Sequence, residues 1–158
     1  GEVEILKEYA ERSLIIRTAW LYSPYGKNFY KTMLMKALNG GESVQVVNDQ
    51  QGQPTSAFDL AELTVNVVNK NVASGVFHGT NAGSCSWFEF AQFIFEIVGA
   101  DPARVTAVLS SEFATKVKRP KYSVLDNQKW SEFGIAPLGP WKDSVQKALP
   151  DMMLSLAK

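Results

Sequence analysis

An amide-rich loop holds the densest group of side chains in this sequence that can bind a polar ligand. It follows the β-branched run Val44–Val47, typical of a short buried strand, and precedes Ser56 and Asp59, whose spacing predicts a capping box on a helix that begins near Ala57. Amide groups offer paired donors and acceptors, so the loop can hold a ligand, or it can be a solvated connection whose amides bond their own backbone. Its polar residues are Asn48, Asp49, Gln50, Gln51 and Gln53.

Two aromatic side chains follow the first apolar run of the chain. Residues 13–18 are rich in β-branched side chains that do not alternate with polar ones, which predicts a central strand covered on both faces of a parallel sheet. Trp20 and Tyr22 come directly after this run, where the carboxyl end of a parallel strand meets a loop, and open α/β sheets bind ligands at such ends. The two residues are therefore site candidates, with aromatic core at a domain seam as the alternative.

One concentrated positive patch occurs late in the chain, at residues 116–121. Pro120 fixes the backbone beside Arg119, so the planar guanidinium projects from a rigid point and suits a phosphate group. A solvated basic loop is the alternative that the charge pattern leaves open.

The single histidine and the single cysteine lack a catalytic setting. No Ser, Cys or carboxylate stands at a recognisable catalytic spacing from His78, for which we expect a structural role. Cys85 has no adjacent base, so we expect an inert thiol. No Cys/His cluster has the ligand spacing of a zinc site, so the sequence predicts no metal site.

Composition excludes several classes of function. The 158 residues suffice for one domain with a sizeable core, since 46% are apolar and 11% aromatic. Sixteen basic and 16 acidic side chains cancel, so no overall field attracts nucleic acid or an anionic membrane. No apolar run approaches the length of a membrane span, and the lone Cys85 fits a reducing, cytoplasmic setting. The first residue is not Met, so we expect the chain to begin inside a larger protein.

Helices alternate with short strands along the predicted chain. An apolar stripe from Phe29 to Leu38 predicts a core-facing helix in which Met33 and Met35 fill the core, and Pro150 should kink or break the terminal helix that starts near Trp141. The other predicted helices are residues 2–11, 57–69, 86–98 and 128–133, the other strands are 75–80 and 105–109, and a helical turn covers 110–113. This order predicts an α/β fold.

Several motifs, in order and at the right spacing, resemble one enzyme family, the dTDP-4-dehydrorhamnose reductases. The matching segments are 17–22 (RTAWLY), 26–29 (GKNF) with 32–33 (TM), 49–55 (DQQGQPT) with 59–61 (DLA), 86–91 (SWFEFA) and 118–127 (KRPKYSVLDN). The resemblance implies a member of the extended short-chain dehydrogenases that uses NADPH to reduce a dTDP-linked 4-keto-6-deoxy sugar, the last step to dTDP-L-rhamnose, a precursor of cell-wall polysaccharide.

The resemblance covers only the family's carboxyl-terminal half. It implies that residues 1–158 are the substrate-binding portion of a Rossmann-like fold, with short strands and five to six helices, and that the amino-terminal NADPH-binding portion is absent. The family's Tyr-x-x-x-Lys pair is absent too, while Gly1-Glu2 look like residues that follow it shortly in the family. We therefore expect no catalytic residue here and no turnover by this chain alone.

Site residues follow from the resemblance position by position. Trp20 matches a tryptophan beside the sugar, and Arg119 matches an arginine near the substrate diphosphate. Asn28, Gln50 and Gln53 match positions on the substrate side. Thr18 and Ala19 match the strand end that borders the nicotinamide.

Two other functions stay open at this point. One is a non-catalytic member resembling the regulatory subunit of methionine adenosyltransferase, which shares this reductase-like fold and acts by binding a partner. The other is an unrelated α/β sugar-nucleotide binder. The missing half has a further consequence. A strand at 13–18 that normally lies against other strands should expose an apolar sheet edge, so we expect the chain to self-associate, for example as a homodimer, or to repack.

Overall fold

The fold is that of a computed structural model, which describes residues 1–72, 74–112 and 119–157. The helices are α1 (Glu2–Tyr9), α2 (Phe29–Leu38), α3 (Ala57–Asn69), α4 (Trp87–Ile97) and α5 (Trp141–Leu156), with short 3-10 helices at Ala10–Arg12, Pro102–Arg104, Ser110–Glu112 and Gln128–Phe133. The strands are β1 (Leu14–Arg17), β2 (Leu21–Tyr22), β3 (Val44–Val47), β4 (Gln51–Gly52), β5 (Thr55–Ser56), β6 (Gly75–His78), β7 (Cys85–Ser86) and β8 (Val105–Val108). Among the described residues, no helix combines the length and hydropathy needed to cross a bilayer.

The strands pair two by two. The pairs β1–β6, β2–β5 and β3–β8 are parallel, and β4–β7 is antiparallel. Parallel neighbours require crossover connections, and α3 and α4 lie in these crossovers. The predicted α/β fold with short strands is thus confirmed.

The buried apolar residues form two separate hydrophobic cores. The large core is built by α2, α4 and α5 against β3 and β8, and its fully enclosed residues are Tyr30, Leu34, Ala91, Ile94, Phe95, Val145 and Met152. The small core packs α3 and the 3-10 helix Gln128–Phe133 against β6, and its buried residues are Leu63, Val67, Phe77, Trp130 and Ile135. Trp20, Phe29 and Trp87 pack against the large core.

Helix capping explains where the central helices begin. Ser86 and Glu89 form the predicted capping box, since the Ser86 side chain accepts from the Glu89 amide and the Glu89 carboxylate accepts from the Ser86 amide. At α3 only half of the predicted box exists. Ser56 accepts from the Asp59 amide, but the Asp59 carboxylate accepts instead from Asn81 and Ser144 of other segments.

Other predictions differ from the structure in packing. The strand at 13–18 was expected to be central, but β1 has β6 as its one partner among the described residues, and Leu14, Ile15 and Ile16 are only half-buried. Its other edge is open in the described part of the chain. Met35 is 44% exposed, because a ten-residue helix turns only part of its surface toward the core.

The carboxyl-terminal elements also depart from expectation. Residues 128–133 form a 3-10 helix, which ends at Gly134 in the left-handed conformation. Pro150 does not break α5, which continues to Leu156. Met152, beyond the proline, is fully enclosed in the large core, so packing holds the last turns although Pro150 donates no backbone hydrogen bond.

Candidate functional site

Two adjoining cavities lie beside the large core, at the ends of β1 and β3. The first has a volume of about 400 Å³ and the second about 390 Å³. Both are lined by Gln50, Trp87 and Arg119. The first cavity is otherwise lined by Phe29, Met33, Gln45, Val46, Val47 and Ser110, and the second by Ala19, Trp20, Pro120 and Ser123.

The structure brings Trp20 and Arg119 to the same cavity, although 98 residues lie between them in the sequence. The backbone of the segment after Arg119 is held by β4, since the Gln51 amide donates to the Lys121 carbonyl at 2.8 Å and the Ser123 amide donates to the Gln51 carbonyl at 2.9 Å. The guanidinium therefore projects from a segment tied to the amide-rich loop.

The aromatic wall of the site is a pair of stacked indoles. The rings of Trp20 and Trp87 have centroids 3.5 Å apart and planes inclined by 13°. Phe29 continues the wall, with its centroid 4.6 Å from that of Trp87. Sequence reasoning missed Trp87 as a site residue. The available signal was its place at the first position of a strongly capped helix, where a side chain is held at the helix entrance.

The amide-rich loop divides between support and site. Asn48 accepts from the Ser86 hydroxyl at 2.8 Å, and the Asp49 carboxylate accepts from the Ser110 amide and hydroxyl, each at 2.8 Å. These bonds lower the pKa of Asp49, mainly the one from the Ser110 hydroxyl. Gln50 alone among the loop's side chains lines both cavities. Neither interpretation of the loop, as a ligand site or as a solvated connection, describes it fully. Most of its polar groups form hydrogen bonds to other segments rather than to their own backbone.

Two amides predicted on the substrate side are engaged by the backbone. The Asn28 side chain accepts from the Lys31 amide at 3.0 Å and donates to the Ser23 carbonyl at 2.7 Å, which caps α2. Gln53 is 4% exposed, and its amide accepts from the Leu125 amide at 2.7 Å and donates to the Leu125 carbonyl. Neither residue lines the two cavities. Their substrate role stays a prediction.

The residues predicted to border the nicotinamide lie at the end of β1. Ala19 lines the second cavity beside Trp20. The hydroxyl oxygen of Thr18 is buried and has no hydrogen-bond partner among the described residues. A buried hydroxyl without a partner is costly unless another group completes it, so this atom fits a position next to a polar ligand group.

Several other candidates lie outside the site. Tyr22 belongs to the large core at 3% exposure, and burial raises the pKa of its hydroxyl. His78 accepts or donates through Nδ1 at the Asp126 carbonyl, 2.9 Å away, in a structural setting. Cys85 is buried, and desolvation raises the pKa of its thiol well above the usual range. Of the positive patch, residues 116–118 lie outside the described residues.

The described lining of the two cavities consists of apolar, aromatic, amide, hydroxyl and guanidinium groups. No carboxylate, imidazole or thiol belongs to the described lining of either cavity. Within the described residues, no acidic side chain lies within salt-bridge distance of Arg119, and no group of three His, Cys, Asp or Glu side chains could hold a metal ion. A guanidinium next to apolar and aromatic walls suits a ligand with an anionic centre flanked by ring systems.

Comparison with solved structures defines the class of protein. The chain superimposes on a dTDP-4-dehydrorhamnose reductase from Bacillus anthracis solved in complex with NADP, with a TM-score of 0.86, 34% identity, and coverage of 94% of this chain and 52% of that one. A UDP-galactose 4-epimerase shares the fold with a TM-score of 0.71 at 18% identity, covering 97% of this chain and 49% of that one. The fold is therefore that of a Rossmann-like, extended short-chain dehydrogenase/reductase.

The family follows from the sequence comparison. Residues 1–154 match the family described as RmlD substrate binding domain, and the chain belongs to it. A dTDP-4-keto-6-deoxy-D-glucose reductase from Streptomyces niveus is 42% identical over 151 residues, covering 95% of this chain and 51% of the relative. A dTDP-4-dehydrorhamnose reductase from Streptomyces griseus is 37% identical over 154 residues, covering 95% and 50%. The chain spans about half the length of the curated relatives it matches.

Proposed function

We propose that this chain is the substrate-binding portion of an NADPH-dependent reductase that converts dTDP-4-dehydro-L-rhamnose to dTDP-L-rhamnose. The observation that carries the proposal is the shared position of Arg119, which lines two adjoining cavities of which one holds Trp20. A diphosphate links two ring systems in a nucleotide sugar, so an anion-binding group between two cavities matches its shape. The names of the relatives support the same substrate class.

The proposal assigns one part of the ligand to each wall. The diphosphate binds the Arg119 guanidinium, whose planar donors suit phosphate oxygens. The keto sugar occupies the second cavity against Trp20, while the nucleoside occupies the first cavity, whose walls include Phe29 and Met33. Gln50 lines both and can bond polar groups on either side.

The residues at the end of β1 fit NADPH, which supplies the hydride in such a reductase. The buried Thr18 hydroxyl without a described partner can bond a polar group of the cofactor, and Ala19 leaves room beside Trp20. No carboxylate, imidazole or thiol belongs to the described cavity linings. The chain therefore holds and orients substrate, and we expect no turnover without the family's Tyr-x-x-x-Lys pair, which this sequence lacks.

Titration of the chain with dTDP tests the diphosphate assignment. Arg119→Ala should weaken dTDP binding about 10- to 100-fold, since a charge-assisted hydrogen bond contributes roughly 1.5–3 kcal/mol. Lys121→Ala is the matched control, because Lys121 carries the same charge two positions on, is exposed and lines neither cavity. Equal affinity of the Arg119→Ala and unaltered proteins would remove the assignment, and no dTDP binding by the unaltered chain would remove the proposed function.

We also infer that the chain by itself self-associates through the open edge of β1. Leu14, Ile15 and Ile16 are half-buried there, and an unpaired parallel strand offers free backbone donors and acceptors. The neighbouring α1 adds apolar surface at Val3, which is 76% exposed, and Tyr9, which is 63% exposed. Sedimentation should show dimers or larger species that increase with concentration, whereas a monomer at every concentration would contradict this inference. A cytoplasmic location is part of this proposal, because a single cysteine fits a reducing compartment.

A further inference from the structure

The backbone at Trp20 adopts a conformation that tryptophan rarely takes. Its φ is 47°, in the left-handed region, and such residues persist only where the surroundings determine them strongly. The adjoining backbone supplies part of that constraint, because β2 begins at Leu21 in register with Thr55, and the Thr55 amide donates to the Trp20 carbonyl at 3.2 Å. The main chain is thus fixed, but these bonds do not fix the indole ring.

Two contacts hold the Trp20 indole, and they come from different segments of the chain. One is the stack on Trp87, with centroids 3.5 Å apart. The other is the backbone of Gly52, where a Cβ atom would overlap Trp20 Cε2 and Cζ2 and lie 2.7 Å from Nε1. Only glycine permits this approach, so the ring contacts both the β4 backbone and a second indole.

The backbone of Trp87 is fixed at the entrance of α4. It is the first residue of α4, directly after the reciprocal cap between Ser86 and Glu89. The Ser86 hydroxyl also donates to Asn48 at 2.8 Å, which ties this helix entrance to the amide-rich loop. Phe29 packs against Trp87 with a centroid distance of 4.6 Å. The cap thus fixes the Trp87 backbone and Phe29 supports its ring, so Trp87 offers a fixed surface on which the Trp20 indole stacks.

We propose that Trp87 is a positioning residue: its stacked indole, together with the close approach of Gly52, sets the orientation in which Trp20 meets the sugar of the bound nucleotide. This proposal rests on the function proposed above, and it gives Trp87 and Gly52 a role in orienting Trp20. A reductase must hold its ketone in a narrow range of geometries, and small displacements cost rate steeply. Fixing the ring before the ligand arrives also removes the entropy cost of ordering it on binding.

Two substitutions disturb Trp20 through different contacts. Trp87→Leu removes the stack, and Gly52→Ala pushes on the Trp20 ring while leaving Trp87 unaltered. Gly139→Ala is the matched control, since a Cβ there meets no heavy atom within 4 Å and its φ is not in the left-handed region. Far-ultraviolet circular dichroism reports the stack directly, because two indoles in contact give an exciton couplet.

The couplet should disappear in Trp87→Leu, weaken in Gly52→Ala and persist in Gly139→Ala. Affinity for dTDP-L-rhamnose should fall about 3- to 10-fold in both site variants, the range expected for one aromatic contact. In Gly52→Ala, whose altered residue lines neither cavity, affinity for dTDP without a sugar should change less than about twofold. A merely structural effect of Gly52→Ala would lower both affinities equally. Equal losses, an unchanged couplet in Trp87→Leu, or a Gly52→Ala protein that binds both ligands normally would each overturn the proposal.

The outcome is separable from that of the proposed function. If the unaltered chain bound neither ligand, the proposed function would fail, and with it the role of Trp87 toward a sugar. The couplet would still show whether Trp87 and Gly52 orient Trp20. If the unaltered chain binds both ligands and the variants lose no sugar-dependent affinity, the positioning role alone fails.

Discussion

Two stacked aromatic pairs serve different purposes in this molecule. In the small core, Phe77 and Trp130 stack with centroids 4.4 Å apart, Trp130 is 1% exposed, and its indole nitrogen donates to the His78 carbonyl. At the site, Trp20 and Trp87 stack at 3.5 Å, but both line a cavity and Trp20 has a left-handed backbone. The same contact thus stabilises the fold where it is enclosed and presents a surface where it is open.

Substitution of the enclosed tryptophan should give the largest effect on stability. Trp130→Ala removes a fully buried ring and leaves a cavity, so it should lower the free energy of unfolding by about 3–5 kcal/mol. Trp20→Ala should cost less than about half as much, because the ring is partly exposed and its removal leaves less enclosed space. Urea denaturation of the two variants measures the difference, and equal losses would break the comparison between an enclosed and a presenting stack.

The helix caps of α4, at the site, and of α3, at the small core, should contribute differently to stability. The cap with the shorter and more numerous hydrogen bonds should contribute more to the free energy of unfolding. Ser86→Ala removes a cap that accepts from Glu89 at 3.1 Å and donates to Asn48, and should cost about 1–2 kcal/mol. Ser56→Ala at α3 removes a longer bond of 3.4 Å to the Asp59 amide and should cost less, about 0.5–1 kcal/mol. Denaturant midpoints at constant m-value give the ranking, which would be contradicted by a larger loss at Ser56.

The smallest effect concerns pH. The bonds from Ser110 lower the pKa of Asp49 below its ordinary value of 3.8, so the charged form stabilises the folded state above that value. This contribution is lost as the pH falls below about 3.8, through the lowered pKa of the folded state. Asp49→Asn cannot titrate, so the stability advantage of the unaltered protein over the variant should shrink on acidification. A constant difference between about pH 6 and about pH 3 would show that Asp49 does not contribute in this way.

The parts of the fold that local patterns determine could be predicted from the sequence. The caps at Ser56 and Ser86 and the end of the 3-10 helix before Gly134 depend on residues only a few positions apart, and each begins or ends an element at the expected place. Pro150 shows the limit of such patterns. A local rule predicts a break, whereas the helix is held beyond it by Met152 in a core formed by distant segments.

Prediction of the site was limited for the same physical reason. Side-chain type made Trp20 and Arg119 candidates, and the structure brings both to one cavity. Type could not show that Gln53 would bond the Leu125 backbone, or that Asn48 and Asp49 would bond Ser86 and Ser110, because those partners are distant in sequence. Trp87 was missed because its role arises from contact with Trp20 rather than from its own neighbourhood.

The most direct test of the central claim uses the NMR resonances of the indole N–H groups of the four tryptophans, Trp20, Trp87, Trp130 and Trp141. Titration of the ¹⁵N-labelled chain with dTDP-L-rhamnose should shift the Trp20 and Trp87 signals progressively and leave Trp130 and Trp141, both enclosed in cores, in place. The same titration of Arg119→Ala should require much higher ligand concentrations. Unchanged Trp20 and Trp87 signals at saturating ligand, or shifts confined to Trp130 and Trp141, would contradict the claim that the paired indoles and Arg119 bind a nucleotide sugar.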